Sequence, residues 1–134
     1  MPGSFFDSNI LLYVAGADEE KAGQAEALIA RGGTISVQVL NEIANVARRK
    51  MLLGWGEVHM LLDTVRGLLE VVPLTIAIHE SGLTLAERYQ LSTYDAMIAA
   101  AALDAGCGTL WSEDMQPGLL INDRVRIRNP FRRD

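Results

Sequence analysis

Between Asp95 and Asp104 the chain reads Ala96-Met97-Ile98-Ala99-Ala100-Ala101-Ala102-Leu103, a run with no polar residue and strong helix propensity. A helix that is apolar on every side must be buried on most of them. The run is far short of the ~20 residues a bilayer crossing needs, so its cover has to be protein. Any fold for this sequence therefore wraps its other elements around residues 92–105. Ser92 stands at the start of that helix and Gly106 and Gly108 at its end, where a cap and a stop belong.

The other elements alternate in type. Ser4-Phe5-Phe6-Asp7 reads as a short buried strand ending on a carboxylate, followed by a Ser8-Asn9 turn and a short helix from Ile10 to Ala15. Asp18-Glu19-Glu20 precede a helix through Ile29, which Gly32-Gly33 stop, and Thr34 to Ser36 form a strand. From Val37 to Lys50 the apolar residues Val39, Leu40, Ile43, Val46 and Ala47 recur at helical spacing, with Gln38, Glu42, Asn45 and Arg49 on the opposite stripe. Helices over Glu57–Leu69 and Thr75–Tyr89 flank a strand from Glu70 to Leu74, Thr109-Leu110-Trp111 give another, and Val125 and Ile127 between arginines give the last. Strands alternating with helices of this length imply an α/β fold with a mainly parallel sheet.

Length and composition agree with that outline. The 134 residues suffice for one compact domain spanning 1–134, and 49 % hydrophobic with 22 % charged residues excludes a disordered tail or a charge-rich coiled coil. One cysteine, Cys107, cannot form an internal disulfide, and with His59 and His79 it cannot complete a four-ligand zinc site. Met1-Pro2-Gly3-Ser4 carries no basic or apolar leader, so the expectation is a cytoplasmic protein with no membrane role. The net charge of −5 argues against gripping nucleic acid by bulk charge, although Arg48-Arg49-Lys50 and Arg124, Arg126, Arg128, Arg132 and Arg133 form local basic clusters.

Open parallel sheets place their sites outside the C-terminal ends of the strands, which selects Asp7 and Asp114. Each reads equally as the cap of whatever follows it. Asp95, three residues after Ser92, fits a capping box, but Ala99 and Ala102 on the same helical face carry it into a protein-lined layer where a carboxylate needs a partner. Glu42 lies on a stripe whose companions are the amides Gln38 and Asn45, which orient ligands more naturally than they solubilise. If the four acids converge, each pair about 5 Å apart repels by roughly 3 kcal/mol at an effective dielectric near 20, against a typical stability of ~5 to 15 kcal/mol. Either their pKa values rise or a divalent cation offsets the charge. All-oxygen ligands select Mg²⁺ or Mn²⁺, ions that commonly serve phosphoryl and phosphodiester chemistry.

These residues resemble those of the PIN-domain ribonucleases, and within them the VapC-type toxins of bacterial toxin–antitoxin pairs. The resemblance runs along essentially the whole chain. It includes Phe5-Phe6-Asp7-Ser8-Asn9-Ile10-Leu11-Leu12-Tyr13, Asn41-Glu42, Tyr94-Asp95-Ala96, Leu110-Trp111-Ser112-Glu113-Asp114-Met115-Gln116 and Val125-Arg126-Ile127-Arg128-Asn129-Pro130-Phe131. It implies a three-layer fold with a five-stranded sheet in the order 3-2-1-4-5 flanked by helices. It also implies that Asp7, Glu42, Asp95 and Asp114 bind Mg²⁺ or Mn²⁺ and carry the catalysis, with Asn9 and Ser112 orienting ligands or water. Either carboxylate of the Glu113-Asp114 pair could point inward; the assignment goes to Asp114, with Glu113 as auxiliary.

The implied activity is hydrolysis of a phosphodiester in single-stranded or looped RNA by in-line attack of water, leaving a 5′-phosphate and a 3′-hydroxyl, with Asp7 or Asp95 helping to deprotonate the water. The implied partners are the RNA substrate, a cognate antitoxin and a second copy of the chain in a homodimer, all in a bacterial cytoplasm. His59 and His79 read as surface or packing residues, and Trp55 and Trp111 as core. Two other readings stay open: an inactive PIN-like binding or regulatory module, and an acidic-pocket phosphatase. The latter is disfavoured where a haloacid-dehalogenase-like enzyme needs a second aspartate and this chain has Asn9.

Overall fold

The computed structural model describes residues 3–132; Arg133, counted above in the C-terminal basic cluster, lies outside them. The strands are β1 (Ser4–Phe6), β2 (Thr34–Ser36), β3 (Glu70–Val72), β4 (Thr109–Trp111), β5 (Leu120–Ile121) and β6 (Val125–Arg128). The helices are α1 (Ser8–Val14), α2 (Glu19–Ile29), α3 (Val37–Arg49), α4 (Trp55–Leu68), α5 (Ile76–Tyr89) and α6 (Thr93–Asp104). They build an α/β fold around a six-stranded sheet in the order β3-β2-β1-β4-β6-β5, parallel throughout except that β5 runs antiparallel to β6.

The expected order 3-2-1-4 is present, and the expected fifth strand is β6. The correction is one of number: the sheet has six strands, because Leu120-Ile121 fold back on β6. Asn122 and Asp123, both left-handed at φ 50° and 58°, make that turn, which Arg124 N–H closes onto the Ile121 carbonyl at 3.0 Å. Two further boundaries move for local reasons. The third strand ends at Val72, before Pro73, which has no N–H to give to a ladder. Helix α1 begins at Ser8, where a turn was expected, because Asp7 leaves the strand to cap it: its Oδ1 accepts from Ser8 N–H at 2.7 Å.

Helix α6 is the buried element its composition demands, with every residue from Ala96 to Ala102 buried. It contacts β2, β4 and β6 on the sheet and packs along α5. At that helix pair Gly82 allows the approach, since a Cβ there would sit 2.6 Å from the Met97 sulfur. Gly33 serves the sheet in the same way: a Cβ at that position would stand 2.8 Å from the Ser4 carbonyl oxygen and 2.6 Å from the Phe6 ring. The core is continuous from Phe5, Phe6, Ile35, Leu110 and Ile127 of the strands to Ile10, Ile43, Leu85 and Ile98 of the helices.

The tryptophan expectation needs a second correction. Trp111 is half-buried at the core's edge, but Trp55 is 61 % exposed and lies under the guanidinium of Arg48, 4.3 Å from its ring centroid. Its place at the first turn of α4 puts it outside the packed layer. His59 and His79 are exposed, as expected of surface residues. Among the described residues no helix is long and apolar enough to cross a membrane.

A candidate metal and nuclease site at the strand tips

Strand β1 pairs with β2 on one side and β4 on the other, so the strand order reverses between β1 and β4, where a parallel sheet leaves a crevice at its C-terminal tips. Asp7 sits at its base, 3 % exposed, with its N–H donating to the Trp111 carbonyl at 2.9 Å as β1 ends. Both of its oxygens are held. Ser8 N–H donates to Oδ1, and the Ser112 hydroxyl donates to Oδ2 at 2.7 Å.

From Asp7 the site extends through short polar side chains. The Ser8 hydroxyl donates to Glu42 Oε1 at 2.8 Å, and Gln38 Nε2 donates to Glu42 Oε2 at 2.9 Å, so of the two amides on that stripe of α3 Gln38 reaches Glu42, while Asn45 is exposed. Asn9 Nδ2 donates to Asp114 Oδ2 at 2.9 Å and lies 3.4 Å from Asp7 Oδ2. Ser112 also accepts from the Asp114 and Met115 N–H groups at 3.3 and 3.2 Å. Capping after β4 is thus done by Ser112, and Asp114, exposed at the rim, is not the cap that one reading made it.

Asp95 enters from the first turn of α6. The cap there is made by Ser92, whose hydroxyl accepts from Asp95 N–H at 3.2 Å, leaving the half-buried carboxylate to face the other acids. Burial pushes Asp95 above its ordinary value; a hydrogen bond with Ser92 pulls it back, and Glu42 and Asp114 push it further up. Burial likewise raises Asp7 to about 6, against the hydrogen bonds from Ser112 and Ser8 and with the charges of Asp95 and Glu42 adding to it. The groups that set these two values are hydroxyls, a backbone N–H and other acids, with no cation among them.

Folding has therefore brought Asp7, Glu42, Asp95 and Asp114 into one electrostatic neighbourhood from four separate segments. Glu113 does not join them. Its carboxylate turns to the other side of the tip, where Lys21 Nζ pairs with Oε2 at 2.7 Å and the Tyr13 hydroxyl donates to Oε1 at 2.5 Å. Burial alone would raise Glu113, but the bonds from Lys21 and Tyr13 outweigh it and hold the group below the ordinary glutamate range. Lys21 also lies 4.9 Å from the Tyr13 ring centroid, and Tyr13 packs edge-on against Phe131.

Among the described residues no group of three or more Asp, Glu, His or Cys side chains is arranged to hold a metal ion as it stands. Ser8 and Asn9 lie between the carboxylates and bond to them in pairs. The donor set nonetheless fits a hard divalent cation: the four carboxylates offer only oxygens, and one of them is buried with its pKa raised in part by the charges of two others. Sequence reasoning missed Ser8, read only as a turn residue, and Tyr13 and Lys21, which decide where Glu113 points.

A family model for the PIN domain matches residues 4–116, and the chain belongs to that family. Solved structures with the same fold include a toxin–antitoxin complex from Klebsiella pneumoniae, at TM-score 0.71 and 22 % identity over 96 % of this chain and 98 % of that one. DNA-bound VapBC from Salmonella typhimurium aligns at TM-score 0.70 and 21 % identity, over 97 % of this chain and 99 % of that one. VapC20 of Mycobacterium tuberculosis, a toxin that cleaves the sarcin–ricin loop, aligns at TM-score 0.68 and 19 % identity over 83 % of this chain and 91 % of that one. A search of curated proteins found no significant sequence match.

Proposed function

We propose that this chain is a metal-dependent endoribonuclease of the VapC type, hydrolysing phosphodiester bonds in single-stranded or looped RNA as the toxin of a VapBC-type pair. The observation that carries the reading is the gathering of Asp7, Glu42, Asp95 and Asp114 at the β1/β4 tips, where hydroxyls, a backbone N–H and the other acids, rather than a cation, shift Asp7 and Asp95. The PIN fold and the toxins that share it support the same reading.

In this reading Asp7, Glu42, Asp95 and Asp114 hold Mg²⁺ or Mn²⁺. When bound, the ion supplies Lewis-acid stabilisation of the phosphate charge and favours ionisation of water. The chain's own residues do the rest. Ser112 and Ser8 fix the orientation of Asp7, Gln38 and Ser8 fix Glu42, and Asn9 fixes Asp114, so these three acids enter the site with their directions already set. Asp95 is the better candidate to take a proton from the attacking water, because both oxygens of Asp7 are already engaged. The products are a 5′-phosphate and a 3′-hydroxyl.

The partners proposed with this activity are the RNA, a cognate antitoxin and a second copy of the chain. Val58 and Val65 of α4 turn inward, whereas Met60, Leu68 and Ile76 on α4 and α5 remain exposed, an apolar surface suited to a protein interface. The deciding experiment is cleavage of RNA by the purified chain with Mg²⁺ or Mn²⁺. Cleavage that stops with chelator and in Asp7→Asn supports the reading. Failure of any RNA to be cut in either metal overturns it in favour of a binding module, and hydrolysis of p-nitrophenyl phosphate without RNA cleavage points to a phosphatase.

A further inference from the structure

The strand β6 alternates strictly: Val125 and Ile127 are buried while Arg126 and Arg128 project to the other face. In register beside them on β4 stand Thr109 and Trp111, with Trp111 opposite Arg128. That face of the β4–β6 pair opens into a cavity of about 350 Å³ lined by Trp111, Gly118, Arg126, Arg128 and Asn129 among others, with no acidic residue in its wall among the described residues. The concentration is notable for a chain of net charge −5.

The parts of this cavity are held in place. The Trp111 indole N–H donates to the Ser4 hydroxyl at 3.3 Å, which fixes the ring at the cavity wall. Arg126 donates to the Gly118 carbonyl at 2.7 Å, anchoring one arm of the guanidinium fork against the wall. Arg128 is exposed on the face opposite the core. An aromatic face beside guanidinium groups is the chemistry that takes a nucleotide: the ring accepts a base by stacking, and the fork accepts a phosphate through paired N–H groups.

The cavity also adjoins the acidic site. Trp111 is the last residue of β4, and the next residue, Ser112, turns the other way to hold Asp7. One polypeptide step therefore separates a basic, aromatic cavity from an acidic pocket. Carboxylates repel a phosphodiester backbone, so a strand that enters the pocket needs compensating positive charge close by.

We propose that the Trp111–Arg126–Arg128 cavity binds a nucleotide of single-stranded RNA that flanks the segment in the acidic pocket, its base against Trp111 and its phosphate on Arg128. This rests on the RNA-cleavage reading above but is tested without cleavage. The probe is a 5′-fluorescein oligouridylate of about 12 nucleotides, followed by anisotropy in chelator between ~50 and ~200 mM salt. Arg128→Ala is expected to weaken binding about tenfold and to flatten the slope of log K against log salt by about 0.7, the value of one lost single-strand phosphate contact. Arg88→Ala, which removes an arginine that is also exposed, on α5, leaves both quantities unchanged.

A second readout uses the ring itself. With Trp55→Phe as background, emission from Trp111 is quenched as the oligonucleotide binds, and Arg128→Ala moves the midpoint of that quench. Unaltered affinity and slope in a folded Arg128→Ala protein overturn the proposal, as does Trp111 emission that ignores saturating RNA. Inorganic phosphate competing as well as uridine monophosphate marks a bare anion site and overturns the nucleotide assignment. The two readings fail separately: binding through Arg128 with no cleavage in any metal overturns the nuclease alone, whereas cleavage by Arg128→Ala with wild-type KM overturns this inference alone.

Discussion

Glu113 and Asp7 lie within a few side chains of each other at the same sheet edge, yet folding moves their pKa values in opposite directions. Asp7 is buried among acids and rises to about 6 from an ordinary 3.8, while Glu113, gripped by Lys21 and Tyr13, falls below its ordinary 4.5. The first acid is held in a place where its charge is unwelcome, and the second in a place built for it. A carboxylate that carries its own cation is part of the scaffold. One that is buried without a cation raises the expectation of something absent from the polypeptide, and that contrast separates the proposed site from its surroundings better than proximity does.

Activity should show the largest difference between the two regions. Asp7→Asn and Asp95→Asn are each expected to lower RNA cleavage by about 10²-fold or more, with Asp114→Asn affected in the same direction. Glu113→Gln should change it by less than about threefold, since its partners lie on the far side of the tip. Measured kcat/KM on one RNA decides this. Equal damage from Glu113→Gln and Asp114→Asn would erase the distinction between the regions.

Stability in chelator should differ next. For Asp7 the folded state binds a proton more tightly than the unfolded state, so its contribution is fully present below pH 3.8 and is lost as pH rises through about 6. A shift of this size corresponds to a penalty on the order of 3 kcal/mol at neutral pH. Asp7→Asn removes the charge and keeps an oxygen for the Ser8 cap, so the variant should melt higher than the wild type at about pH 7 and lose that advantage toward about pH 4. Thermal melts of both proteins across this range test it; a constant difference would show that Asp7 is not destabilised by its charge.

Divalent ions should narrow the same gap from the other side. Mg²⁺ or Mn²⁺ at about 100 times its Kd should stabilise the wild type by roughly 2.7 kcal/mol, raising Tm, and should do much less for Asp95→Asn. Equal shifts in both would mean the ion binds elsewhere.

How far the sequence could foresee this contrast depended on the range of the interactions. Helix α6 was legible because an all-apolar run has one physical solution, and the acidic strand tips because a carboxylate after a short apolar strand serves a core badly. The convergence of four acids was suspected from charge and family resemblance, and folding places them in one neighbourhood. Whether Glu113 or Asp114 turns inward was not legible. That choice is made by Lys21 and Tyr13, 92 and 100 residues earlier in the chain, and no local pattern encodes it. Ser8 was hidden by its ordinariness, since Asp-Ser-Asn after a strand reads as a turn until Asp7 is recognised as the cap of α1. The strand β5 escaped notice at two residues in length, although Asn122-Asp123 is a fair signal for the left-handed turn that creates it.

The smallest effect expected is the one that tests the scaffold role directly. Lys21 and Glu113 are partly exposed, so water and salt weaken their attraction, and the pair should add only modestly to stability. Because folding lowers the pKa of Glu113, its contribution is present above pH 4.5 and fades as pH falls through the folded value, opposite to the behaviour of Asp7. A double-mutant cycle with Lys21→Met and Glu113→Gln at neutral pH should show a small favourable coupling that shrinks at ~1 M salt, while Mn²⁺ stabilisation persists in both single variants. The informative failure is loss of the Mn²⁺ response in Glu113→Gln: it would mean that this carboxylate leaves Lys21 when the ion arrives, and that the two regions are one site in two states.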